Sequence, residues 1–239
     1  MEIIKKKFQK INLMKMRFLY KDDYKLIHSV VNNNLTYIEE NALIELYLAF
    51  KHMDKFNKKG IFIETGCALG GSALTISFAK TKMRPFYVYD VFGMIPSPSD
   101  NDGNDVVERY EVIKSGLSEG IKGDMYYGYI DNLKDKVINT FKNFGYSIEN
   151  NNIHLIKGLY EETLIVNQPV VAAHIDCDWY DSVLVCLKRI EPKLIRSGIL
   201  VIDDYNHWSG CKKAVDDYFS DKMDKYDFIM KSRLYIVKK

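Results

Sequence analysis

The sequence predicts an α/β fold: a doubly wound, mostly parallel seven-stranded sheet with a helical N-terminal extension and a lid insertion. Three observations carry that prediction. From Gly60 onward, short apolar runs alternate with helix-patterned stretches, which is the signature of βαβ units. The last two apolar runs are separated only by a Lys-Ser-Arg turn, so they form a hairpin and put one antiparallel strand into the sheet. Before Gly60 the chain is rich in Lys, Leu and Tyr, with Ile38, Leu43, Leu46, Leu48 and Phe50 recurring at helical intervals.

The elements follow in order. Strands are expected at 61–64, 86–90, 153–157, 170–176, 198–203, 226–230 and 234–237, and helices at 72–82, 132–143, 182–195 and 210–221. Asn32, Asn33 and Asn34 break the helical N-terminal region. Residues 93–130 follow neither period; they hold clusters of turn residues and several tyrosines, and so read as a functional loop or lid. At about 150 residues per domain, 239 residues make one to two domains. The division expected is an extension over 1–58, serving as acceptor cap or oligomer contact, and one α/β domain over 59–239.

Composition narrows the classes. With 47% hydrophobic and 28% charged residues the chain is ordinary globular protein, which excludes disorder, collagen and coiled coil. No apolar run approaches the ~20 residues of a membrane span. Lys and Gln interrupt every apolar stretch of the basic N-terminus, so no signal-peptide core is seen and a cytoplasmic location is expected. Thirty-four basic against 32 acidic residues leave +2, too weak a bias to make nucleic acid the default partner. Cys67, Cys177, Cys186 and Cys211 form no Cys-x-x-Cys pair and read as free thiols.

Four motifs carry chemistry. The first is Glu64-Thr-Gly66-Cys-Ala-Leu-Gly70-Gly71-Ser72, between a strand and a helix. Its glycines permit a sharp turn and close approach to a ligand, while the helix N-terminus offers N–H groups. The spacing is neither G-x-G-x-x-G nor a P-loop. An acid two residues before the first glycine suits the amino-acid part of S-adenosylmethionine. The second is Asp90, ending the next strand, where a carboxylate accepts hydrogen bonds from ribose hydroxyls. The third and fourth are His174-Ile-Asp176-Cys-Asp178-Trp-Tyr and Asp203-Asp204-Tyr-Asn-His207-Trp, at the carboxyl ends of two neighbouring strands. Four carboxylates converging there repel one another unless a cation or protons compensate. Oxygen-only donors suit a hard divalent cation, Mg²⁺ first. His207 is a general-base candidate, and His174, inside an apolar strand, reads as a core or lining residue. Trp179, Tyr180, Tyr205 and Trp208 are candidates for an acceptor pocket, with core packing the competing account.

Taken together, ETGCALGGSAL, YDVFGMIP, KGLYEETL, HIDCDWYDS and VIDDYNHWSGCKKAVDDYF resemble the macrocin O-methyltransferase family of S-adenosylmethionine-dependent, Mg²⁺-dependent sugar O-methyltransferases, from about Gly60 to Phe219. The resemblance implies a class I methyltransferase, Rossmann-like sheet and methyl transfer to a sugar hydroxyl, on a nucleotide-linked sugar or a saccharide of surface polysaccharide or glycoside biosynthesis. Matched by position, it implies that Glu64, Gly66, Gly70 and Ser72 face the methionine part of the donor and Asp90 the ribose. Asp176, Asp203 and Asp204 would ligate the metal, with Asp178 a ligand or base; Asp176 and Asp178 are interchangeable in these roles, and Asp176 also borders the donor. The 158–164 stretch would border the adenine. Departures are Cys177 where the family carries Gly, and Val91-Phe92-Gly93-Met94 where it carries Ser-Phe-Glu-Gly. Residues 1–55 match weakly. The competing readings are a metal-dependent methyltransferase of small phenols, a D-x-D nucleotide-sugar glycosyltransferase built on Asp176 and Asp178, and a non-catalytic donor-binding module. A homo-oligomer is expected through the N-terminal region.

Overall fold

The computed structural model describes Met16, residues 18–56 and residues 59–239. The expectation of helix over residues 1–15 lies outside the described residues. Numbered in chain order, the helices are α1 (Lys21–Asn32), α2 (Glu40–Lys55), α3 (Gly71–Ala79), α4 (Asn104–Lys114), α5 (Leu133–Asn143), α6 (Tyr160–Thr163), α7 (Tyr180–Ile190) and α8 (Ser209–Phe219). The strands are β1 (Ile61–Thr65), β2 (Phe86–Asp90), β3 (Ile153–Lys157), β4 (Val170–Ile175), β5 (Leu194–Ile202), β6 (Tyr226–Met230) and β7 (Leu234–Lys238).

They form one seven-stranded sheet in the order β3-β2-β1-β4-β5-β7-β6. Only β7 runs antiparallel to its neighbours, as the terminal hairpin predicts. Central strands covered on both faces are predominantly apolar, and every residue of β1 and of β4 is buried, Glu64, Thr65 and His174 included. Alternation then splits β1 between two cores. Phe62 packs with α2, α3 and α5 on one face, whereas Ile61 and Ile63 pack with α7 and α8 on the other. The extension is part of this structure rather than an appendage: Leu43, Leu46, Tyr47 and Phe50 of α2 sit in the same core as Phe62, Leu74 and Phe86.

Several elements differ from expectation, among them these. The helix expected over 182–195 stops at Ile190, because Pro192 cannot continue it and residues 191–193 make a 3₁₀ turn. β5 starts at Leu194 rather than 198; a register shift there and the left-handed Ser197 interrupt its pattern. The 93–130 insertion is not loop alone but contains α4. That helix buries only Val106 and Ile113, too sparse a stripe to read from sequence.

The insertion is tied down by its own acids at two helix N-termini, where backbone N–H groups lack partners. Asp102 accepts a 2.8 Å bond from the Tyr180 N–H at the start of α7, and Asp105 a 2.9 Å bond from the Ser209 N–H at the start of α8. Gly210 leaves the room: a Cβ there would lie 1.9 Å from Asp102 Oδ1. Losing a capping carboxylate costs about 1 kcal/mol. Asp102→Ala is therefore expected to speed proteolytic cleavage within 93–130 while S-adenosylhomocysteine affinity changes little; unchanged cleavage would show that the clamp is not what orders the insertion.

Candidate active site

Parallel pairing brings the carboxyl ends of β1, β2, β4 and β5 to one edge, where β1 turns into α3. Gly66 continues β1, its N–H bonded to Tyr89 O at 2.9 Å, and takes φ +84°. A Cβ on it would lie 1.7 Å from the carbonyl oxygen of Asp176, so only glycine lets this loop cross the end of β4. The loop then closes on Asp90. Its Oδ2 accepts from the N–H groups of Cys67 (2.7 Å) and Ala68 (3.1 Å), and Oδ1 from Phe92 (2.6 Å). Ala68 and Phe92 hold left-handed φ of 45° and 46°, a cost concentrated at this acid. Asp90 thus shapes the glycine loop as well as lining the cavity.

The cavity encloses about 340 Å³. Of the residues expected from sequence, Gly66, Ser72, Asp90, Asp176, Asp178, Asp203, Asp204 and His207 line it. Glu64 and Gly70 are buried and are not among its lining residues. Trp179 and Trp208 also line it, in edge-to-face contact at 5.7 Å, and the Trp179 indole N–H donates to Pro96 O at 3.0 Å. Tyr180 and Tyr205 do not; their hydroxyls turn to Asp217 and Asp216 on α8, too far along that helix to serve an acceptor. Tyr160 from the 158–164 stretch is at the wall.

A chain of alternating charges that sequence reading missed runs from buried Glu64 and His174 to Asp203, Arg233 and Glu39 on the cavity wall. Register pairs Glu64 with His174 across β1 and β4. His174 Nδ1 lies 2.9 Å from Glu64 Oε1, and its Nε2 lies 3.5 Å from Asp203 Oδ1. The same Asp203 oxygen accepts from Arg233 Nε at 2.7 Å, and Arg233 Nη2 reaches Glu39 at 2.9 Å. Burial alone would push His174 down, but its bonds to Asp203 and Glu64 lift it to about 10, so it carries a proton at neutral pH. Burial likewise opposes the charge of Asp203, yet His174 and Arg233 hold that carboxyl below its ordinary value. Burial raises Glu64, against the pull of His174.

Among the described residues, no Lys or Arg forms an ion pair with Asp176, Asp178 or Asp204. Oxygens of the three lie within 4.8 Å of one another, and Asp204 Oδ2 is buried without a hydrogen-bond partner. Burial first, and neighbouring acids second, lift Asp176 and Asp204 well above the carboxylate range; Asp178, in a left-handed turn at φ 59°, is also raised. An orphaned buried oxygen among clustered hard donors fits a divalent cation held by Asp176, Asp178 and Asp204. Asp203 has Oδ1 engaged, leaving Oδ2 to contribute. Glu64 Oε2 is a second orphaned buried oxygen, behind the glycine loop, and suits the cationic end of a donor. His207, half exposed, stands at the rim with Nδ1 3.8 Å from Asp204 Oδ1.

The sign of the pH response follows. A carboxyl raised in the folded state binds protons that the unfolded chain has released above about pH 4, so metal-free protein loses stability as pH rises. His174 acts in the same direction, its contribution fading between its ordinary 6.5 and about 10. A divalent cation held by these acids would compete with those protons. Melting temperature without metal should fall from about pH 5 to about pH 8, and the rise on adding Mg²⁺ should grow over the same range. A Mg²⁺ shift that shrinks as pH rises would contradict this arrangement.

A glycine loop after β1, an acid after β2 and clustered acids after β4 and β5, on a sheet of this order, define a class I methyltransferase fold. The chain belongs to the macrocin-O-methyltransferase (TylF) family, whose model matches residues 31–229, and is an O-methyltransferase. The match takes in α2, beyond the 60–219 expected, and removes the glycosyltransferase and non-catalytic readings. Among solved structures, the O-methyltransferase NovP is 20% identical, with TM-score 0.70 over 86% of this chain and 81% of that one. The calicheamicin methyltransferase CalS11 is 15% identical, with TM-score 0.59 over 97% and 95%, and its apo form is described as a TDP-rhamnose 3′-O-methyltransferase. SMU.1697c from Streptococcus mutans, solved with SAH, is 14% identical, with TM-score 0.50 over 79% and 95%. No curated protein matches the chain. No helix among the described residues is long and apolar enough to cross a membrane.

Proposed function

We propose that the protein transfers a methyl group from S-adenosylmethionine to a hydroxyl of a sugar, with a nucleotide-linked sugar as the favoured acceptor, in a Mg²⁺-assisted reaction in the cytoplasm. The observation that carries the reading is the convergence of Asp176, Asp178 and Asp204, with one oxygen orphaned, beside a glycine loop that tolerates no side chain. Family membership and the sugar substrate named for CalS11 support it. The SAH complex of SMU.1697c supports the donor.

Gly66, Ser72 and Asp90 line the donor side of the cavity, with Glu64 behind them supplying negative charge. Asp176 and Asp204, with Asp178 and Asp203, would hold Mg²⁺, whose charge lowers the pKa of an acceptor hydroxyl and orients it. Asp178 accepts the proton as the acceptor oxygen attacks the sulfonium methyl in line, and His207 passes it to solvent. A positioned proton acceptor contributes typically ~10²–10⁴-fold. Holding the reacting atoms in line contributes roughly 7–11 kcal/mol. Residues 36–39 and residues of the 93–130 insertion also line the cavity, where they would exclude water and shape the acceptor site.

The test is calorimetry with S-adenosylhomocysteine followed by a turnover assay on sugar and catechol acceptors. Donor binding with transfer to a sugar supports the proposal. Transfer to catechols alone would replace the sugar by a phenol, and absence of donor binding would sink it.

A further inference from the structure

The acceptor side of the cavity has a cation that the methyl-transfer scheme leaves idle. Three basic side chains line the cavity: Arg109, His207 and Arg233. Arg233 is committed to Asp203 and Glu39, and His207 stands against Asp204. Arg109, from α4 of the insertion, has no carboxylate ion-pair partner among the described residues. It is half-buried, so solvent does not fully satisfy it either. Its guanidinium is held rather than free: Nη2 donates to Ser118 Oγ at 2.9 Å, and Cζ lies 5.6 Å from the centroid of the Tyr126 ring. Ser118 is itself buried, so the anchor does not swing. Anchored at one nitrogen, the guanidinium has further N–H groups beyond that bond, and the side chain lines the cavity.

Its surroundings identify the side it serves. Arg109 contacts insertion residues, and its field reaches Tyr37 and Asp178. The donor loop at Gly66–Ser72 is not among those neighbours. Tyr37, Tyr126, Trp179 and Trp208 line the same region and offer apolar faces to a sugar or a base. A neutral acceptor would leave this half-buried cation with only the longer-range field of Asp178, whereas an oxyanion gives it direct, bidentate partners.

We infer that Arg109 anchors an oxyanion group of the acceptor, so that the substrate of this methyltransferase is an anionic saccharide carrying either a phosphate, as in a nucleotide sugar, or a carboxylate, as in a sugar acid. The inference rests on the methyl-transfer reading for the place of the acceptor, and it deepens that reading by naming what the acceptor must carry.

The experiment is calorimetry on the full chain loaded with S-adenosylhomocysteine and Mg²⁺, with two probes, uridine diphosphate and glucuronate. Wild type is compared with Arg109→Gln and Arg109→Lys. The glutamine variant keeps a stem against Tyr126, and S-adenosylhomocysteine affinity serves as the fold control. At least one probe should bind wild type and lose about ten- to a hundredfold in Arg109→Gln, with lysine recovering part by charge without the fork. The probe that loses affinity names the anion's source. Equal affinity in wild type and Arg109→Gln, as expected if a diphosphate is held through Mg²⁺ alone, overturns the inference. So does a wild type that binds neither probe. If S-adenosylhomocysteine itself fails to bind, the donor reading falls, and the two probes are then compared without it.

Discussion

Asp204→Asn is expected to abolish methyl transfer while leaving the metal-free protein more stable than wild type. Asp204 stands against both Asp176 and Asp178, with an oxygen buried and unpartnered. An amide there removes one of three mutually repelling acids and offers N–H donors to the other two. Relief worth one pKa unit is already about 1.4 kcal/mol, so a higher melting temperature without metal is the expected sign. The same change takes a hard ligand from the cation site. Losing several kcal/mol of charge stabilisation in the transition state corresponds to roughly 10³-fold or more in rate. The Mg²⁺-dependent rise in melting temperature should shrink together with the rate. Gain of stability with loss of function separates a charge cluster built for a cation from a set of helix caps, which would lose stability instead.

Gly66→Ala is expected to remove folded protein or, where some folds, to remove donor binding. The added carbon would sit 1.7 Å from Asp176 O, well inside contact distance, and the φ of +84° is strained for alanine even in open space. Left-handed strain and forced overpacking each cost about 1–3 kcal/mol. Relaxing them moves either the glycine loop or the end of β4, which in the proposed mechanism hold the donor and the acidic cluster. Gly116→Ala is a useful comparison, since its φ of +79° is similar but its Cβ would meet nothing within 4 Å. Soluble yield and S-adenosylhomocysteine affinity should fall sharply for Gly66→Ala and little for Gly116→Ala. Comparable behaviour of the two variants would mean that the close crossing at Asp176 is unimportant.

Much of the sheet was legible because parallel strands buried on both faces read as continuous apolar runs, as 170–175 does. The acids at their ends were legible because parallel strands of one sheet share an edge. The charge chain was not. His174 sits in an otherwise apolar strand, and its partner Glu64 is 110 residues away in sequence, so only the β1–β4 register joins them. The available signal was the histidine itself, a titratable group in a strand too apolar to leave it unpaired. Arg109, Arg233 and Glu39 were missed for a related reason. They reach the cavity from the insertion, the terminal hairpin and the start of α2, which no local spacing connects. Helix α4 escaped because a clamp at its acidic N-terminal end, rather than a broad apolar stripe, holds it down.

The measurement closest to the central claim is a donor-turnover assay on a panel of nucleotide sugars, run with Mg²⁺ and with chelator, following both S-adenosylhomocysteine and product mass. The account predicts that one acceptor gains the mass of a single methylene, with stoichiometric S-adenosylhomocysteine, and that the gain disappears on chelation. Full turnover in chelator, with Asp204→Asn as active as wild type, would contradict it.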